Sequence, residues 1–182
     1  MQNEQHRTLA LQALNAYETR SLPVETISLC DNSIDHFKAS FKGGLVYVLR
    51  LAPFAIEKHS SIAAIPNAND PLRILYIGGH SSGRDNGRYK KLFHACKNAE
   101  EIYRKFGFAK NDTKHGHPVA NKLTTSLLQL GFSIKDCLLD ILDGSGKYDE
   151  LEFLIGYEEK FHHLPPWNTK RDGALAFVPN QK

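Results

Sequence analysis

Apolar positions along the chain change period several times, and each change predicts an element. From Glu4 to Tyr17, the residues Leu9, Leu11, Leu14 and Tyr17 roughly keep a 3.6-residue period with no Gly or Pro between them, which predicts a helix. Residues Val24 to Phe41 read as extended or mixed. GLVYVLRL, Gly44 to Leu51, alternates instead: Leu45, Tyr47, Leu49 and Leu51 fall on one face, Val46, Val48 and Arg50 on the other, and the expected element is a strand. Pro53 to Pro71 is rich in turn formers and reads as a long connection. Ile74 to Ile77 is the next strand. Consecutive strands usually neighbour each other, so it should run antiparallel to the first, with Ile74 and Tyr76 on one face.

The second half reads helix, helix, strand, helix. Arg88 to Phe106 is a helix with Gly107 at its end, Lys110 to Pro118 a polar loop, and Pro118 to Leu130 a helix followed by Gly131. Phe132 to Asp143 is the third strand, GSGK at 144–147 a turn, and Tyr148 to His163 a last helix halted by LPPWN. The expected class is α+β: a small, mainly antiparallel three-stranded sheet flanked by helices. No internal repeat is evident.

Composition narrows this picture only slightly. A chain of 182 residues with 41% apolar and 24% charged residues suits one globular domain. The net charge of +3 permits a nucleic-acid partner, but any basic patch must be local. Cys30, Cys96 and Cys137 form no CxxC pair and are expected to be reduced thiols. The N-terminal stretch lacks an apolar signal core, and no run approaches the roughly 20 apolar residues of a membrane span, so a soluble cytoplasmic protein is expected.

Candidate chemistry gathers in RILYIGGHSSGRDNGRYKKLFHA, residues 73–95. Tyr47 and Tyr76 could stand side by side on one face of a paired ladder, although tyrosine is also an ordinary packing residue of strands. Gly78 and Gly79 are expected to let the backbone turn sharply and a ligand approach closely. Arg84, Arg88, Lys90 and Lys91 cluster at or before a helix N-terminus, where cations oppose the helix dipole; a bound phosphate would account for them, and so would a solvated basic loop. On the last helix Glu150 sits beside the apolar stripe of Phe153, Leu154, Tyr157 and Phe161, with Glu158 a rival and Glu152 and Glu159 on the wetter face. The histidines of HGH, His115 and His117, have no acid or cysteine at zinc spacing around them. His94 and Cys96 face apart on a helix and do not form a dyad.

These motifs, in this order, resemble the GIY-YIG nuclease family. YIG is literal at Tyr76, Ile77 and Gly78; the first half-motif is degenerate as GLVY, with Tyr47 at its tyrosine. A downstream arginine, a late-helix glutamate and a PPxN ending match Arg88, Glu150 and LPPWN with Asn168. The resemblance runs from about Gly44 to Asn168. Residues 1–43 lie outside it as an N-terminal extension, and 44–182 form the nuclease-like domain. Two departures stand: the two tyrosines are further apart than in compact members, and the family arginine is often followed four residues later by histidine or tyrosine. Leu92 follows Arg88 at that spacing and Arg88 follows Arg84, while His94 lies off it, so either Arg84 or Arg88 fits the arginine.

The resemblance implies metal-dependent hydrolysis of DNA phosphodiesters. Glu150 would ligate Mg²⁺ or Mn²⁺, Tyr47 or Tyr76 would orient and deprotonate water, Arg88 would hold phosphate oxygens, and Asn168 would fix a neighbour of the site. Arg84, Lys90, Lys91 and His94 would contact the substrate. One small site that cuts both strands implies a homodimer, and a type II restriction enzyme is the favoured biology, with repair or mobile-element roles next. Two other classes stay open: a catalytically inactive nuclease-like protein that binds nucleic acid, and an unrelated α+β domain.

Overall fold

The computed structural model describes residues 2–31, 45–65, 67–80, 87–107, 117–143 and 148–169. Helix α1 spans Gln2–Glu18, strand β1 Val24–Ser28, β2 Leu45–Leu51, helix α2 Pro53–Lys58, β3 Ile74–His80, α3 Gly87–Phe106, α4 Pro118–Lys122, β4 Cys137–Asp143 and α5 Glu150–Phe161. The expected GSGK turn and most of the polar loop at 110–118 lie outside the described residues.

The class is α+β, but the sheet has four strands rather than three, in the order β1-β4-β2-β3. All three pairings are antiparallel. The added strand is β1, which the sequence reading left inside an extended or mixed segment. VETIS is short and its half-buried pattern lacks clean alternation, so only its pairing with β4 reveals it. Residues 1–43 thus supply α1 and β1 to the same body as the rest.

β2 is central, and every one of its residues is buried. Its alternation divides the core as the sequence pattern predicts. Leu45, Tyr47, Leu49 and Leu51 join Leu139 and Ile141 of β4 beneath Tyr89, Leu92, Phe93 and Cys96 of α3. Val46 and Val48 join Leu142 beneath Leu14 and Tyr17 of α1 and Phe153, Leu154 and Tyr157 of α5. The result is helices on both faces of one sheet. The α1–α5 crossing is close: a Cβ on Gly156 would lie 2.2 Å from the Ala10 carbonyl oxygen, so only glycine permits it.

One register detail corrects the sequence reading. Leu49 pairs with Tyr76 and Arg50 with Ile74, so Leu75 is an extra residue in β3. This bulge turns Ile74 into the core beneath α1 and α5, while Tyr76 faces the α3 side, so the two do not share a face. The long connection after β2 also contains α2 and a 3₁₀ turn at Ser60–Ala64. The last helix stops at His162, whose φ of 65° lies in the left-handed region, before the prolines are reached. Among the described residues, no helix is long and apolar enough to cross a membrane.

A buried polar network ties α1 to the sheet. Asp140 accepts from Tyr17 Oη at 2.6 Å, from Thr26 Oγ1 at 2.6 Å and from Arg50 Nε at 2.7 Å, with Arg20 Nη1 at 3.0 Å. Burial opposes ionisation of Asp140, but the Arg50 hydrogen bonds and charge outweigh it, helped by Thr26 and Tyr17, and hold the carboxyl below its ordinary range.

Candidate active site

The site forms at the end of β3. Gly78 and Gly79 do not turn the chain, contrary to the expectation; both lie inside the strand. What they provide is the absence of side chains on consecutive, opposite faces. A Cβ on Gly78 would lie 2.5 Å from Tyr47 Cζ. A Cβ on Gly79 would lie 2.7 Å from Glu150 Cβ and 3.1 Å from its Oε2. Two glycines in succession therefore admit a phenol from one face and a carboxylate from the other to the same stretch of strand.

Tyr47 pairs across the ladder with Gly78, and Tyr76 with Leu49, so the two tyrosines are diagonal neighbours on one face. Their ring centroids are 6.2 Å apart. Burial pushes the Tyr47 phenol well above its ordinary value, the neighbouring Tyr76 and Glu150 push it further, and only Arg88 opposes them.

Arg88 lies on the first turn of α3, and its Nη1 donates to the Gly79 carbonyl at 2.8 Å. Arg88 as a whole is exposed. Lys91 and His94 follow at intervals of three along the same exposed helix face, while Lys90 is half-buried and lies off it. Arg84, the rival for the arginine role, lies outside the described residues.

The carboxylates of α5 separate clearly by what they touch. Asp149 caps the helix, accepting from Leu151 N and Glu152 N, and Glu152 reaches back to the Asp149 N–H at 2.9 Å. Glu152 is thus one half of a capping box. Glu159 pairs with Arg7 at 3.1 Å. Glu158 lies two turns further along α5, and its carbonyl receives the N–H of His162, which closes the helix. Glu150 alone lies over Gly79. Among the described residues, no three His, Cys, Asp or Glu side chains are grouped as a cage. The donor offered at Gly79 is one carboxylate, in a space that any Cβ would fill. That fits a hard cation such as Mg²⁺, which accepts one protein oxygen and fills its other positions with water and phosphate oxygens.

Asn168, expected to fix a neighbour of the site through its amide, holds the backbone of Ile77. Its Oδ1 accepts from Ile77 N at 2.9 Å and its Nδ2 donates to Ile77 O at 2.8 Å. Trp167 N donates to Leu75 O at 2.9 Å. Together with Arg88 on Gly79 O, these bonds occupy the outer edge of β3 with side chains and tail, so the strand can stay an edge without a fifth neighbour. Asn168 thus holds β3 in place at Ile77.

His117 belongs to the site and was missed. Its ring stands edge-on to Tyr76, with centroids 5.5 Å apart. Burial lowers it to about 4, with the Arg88 charge adding to the effect. The sequence carried a partial signal: a residue directly before a proline that opens a helix is a candidate N-cap. Nothing local shows that this cap meets a tyrosine 41 residues earlier in the chain.

The chain matches no protein-family model, no curated protein and no solved structure.

Proposed function

We propose that the protein is a metal-dependent DNA endonuclease of the GIY-YIG type. The observation that carries this reading is the convergence of Tyr47, Tyr76, Arg88 and Glu150 on the end of β3, from both faces of the sheet and from its edge. They offer phenols, a guanidinium and a carboxylate, groups able to serve phosphodiester hydrolysis.

Arg88, anchored by Nη1 to the Gly79 carbonyl, presents its other N–H groups to the non-bridging phosphate oxygens. Lys91 and His94 extend this exposed face along the DNA backbone. Glu150 would hold Mg²⁺ or Mn²⁺, which when bound would stabilise the charge that develops on phosphate and leaving oxygen. Tyr47 keeps its proton, because burial and the neighbouring Tyr76 and Glu150 disfavour its phenolate. With Tyr47 disfavoured as the base, Tyr76 takes the role of orienting the attacking water and, as its phenolate, of accepting the proton. The water oxygen bonds to phosphorus as its proton passes to the base, the bond from phosphorus to the 3′ oxygen breaks, and the leaving 3′ oxygen takes a proton from solvent.

A type II restriction role, with two copies cutting the two strands, is the preferred biology. The test is cleavage of mixed plasmid and phage DNA with Mg²⁺, Mn²⁺ or EDTA. Discrete fragments that need metal support the restriction reading. Nicking or smearing keeps the chemistry and points to repair or a mobile element. Duplex binding at low salt without cleavage, under all metals, identifies an inactive nuclease-like binder; neither binding nor cleavage overturns the reading.

A further inference from the structure

We propose, resting on the phosphodiesterase reading, that His117 donates its Nε2–H to a non-bridging phosphate oxygen beside Arg88. Three observations lead there. The first is tautomeric. Nδ1 of His117 accepts from the Val119 N–H at 3.3 Å, capping the helical run that starts at Pro118. A neutral imidazole has one lone pair, and here the cap uses it, so the proton sits on Nε2. The ring then presents a donor to the site and has no free acceptor with which to deprotonate water.

The second is location. The ring stands edge-on to Tyr76, near enough to Arg88 for its charge to act on it, and it is half-buried. The third is charge. Burial and the Arg88 guanidinium both oppose a second cation at this position. A neutral donor adds a hydrogen bond to an anion already held by Arg88 without that repulsion. The resemblance drawn from sequence assigns nothing to this residue, and its expected histidine, four residues after the arginine, is absent here.

Two substitutions separate the possible roles. Asn is a strong N-cap whose side chain is too short to replace Nε2, so His117→Asn keeps the cap and loses the donor. Gln can place an amide N–H near the Nε2 position but caps less well. On this proposal His117→Asn melts as the wild type does and binds duplex, yet cleaves about 100-fold more slowly, while His117→Gln recovers to within about tenfold. Wild-type cleavage by His117→Asn, with lowered thermal stability in His117→Gln, would reduce His117 to a cap and overturn the proposal. Equal loss in both variants would indicate a general base and overturn it as well. If the wild type binds duplex without cutting, affinity replaces rate as the readout: Asn must weaken it more than Gln, and equal affinities overturn the proposal. If the wild type neither binds nor cuts, the nuclease reading itself falls, and this inference with it.

Discussion

The end of the Tyr47 ring occupies the space that a Cβ on Gly78 would fill, 2.5 Å from Tyr47 Cζ. The glycine of the YIG sequence is therefore a packing partner of the tyrosine on the neighbouring strand. Gly78→Ala must displace that ring. We expect cleavage to fall by about 100-fold or more, since a misplaced reacting group costs about that much, and stability to drop by about 1–3 kcal/mol. Cleavage rate and thermal denaturation measure both. A normal rate in a stable Gly78→Ala variant would show that Tyr47 need not lie where it does.

The carboxylates of α5 make separate predictions. Glu150→Gln should abolish cleavage and leave duplex binding in EDTA intact. Glu152→Ala should cleave normally and lose about 1 kcal/mol of stability, because Glu152 closes the capping box on Asp149. A dead Glu152→Ala or Glu158→Ala beside an active Glu150→Gln would move the metal ligand off Glu150.

Asn168→Ala removes both partners of the Ile77 backbone at the buried edge of β3. Each group left unsatisfied costs about 1–3 kcal/mol. The variant should unfold at clearly lower urea, and any loss of cleavage should recover at low temperature, where the fold is restored. Undiminished stability with lost cleavage would instead make Asn168 a direct participant.

Asp140 should govern acid stability. Its folded pKa is depressed, so the stability it contributes is present above its unfolded value, about pH 4, and is lost as pH falls through the folded value. Asp140→Asn breaks a buried pair with Arg50 and should cost about 3–5 kcal/mol at neutral pH. The variant's stability should then change less than the wild type's across the acid range. An unchanged acid profile, followed by urea denaturation at several pH values, would locate the acid-labile group elsewhere.

Much of the scaffold was legible in the chain. The alternation of GLVYVLRL assigned each side chain of β2 to its face, because a central strand is constrained on both sides and its period shows directly. The 3.6 period of α1 and the glycines after α3 and after Leu130 marked real helix ends. The candidates Tyr47, Tyr76, Arg88 and Glu150 could be singled out as residue types in an order. Their order says nothing of distance. The Leu75 bulge, which parts Ile74 from Tyr76, leaves no local trace, because it depends on the register between two strands.

By itself, then, the sequence determined the periodic elements, the two core faces of the central strand and an ordered set of four candidate side chains. Those properties are local: they depend on a residue and its neighbours within a turn or a pleat. Tertiary structure alone decided that β1 joins the sheet, that Gly78 and Gly79 clear space for Tyr47 and Glu150, that Asn168 secures β3, and that His117 stands against Tyr76. Each of those depends on contacts between residues far apart in the chain, and a missing Cβ acquires meaning only when another element comes to fill its place.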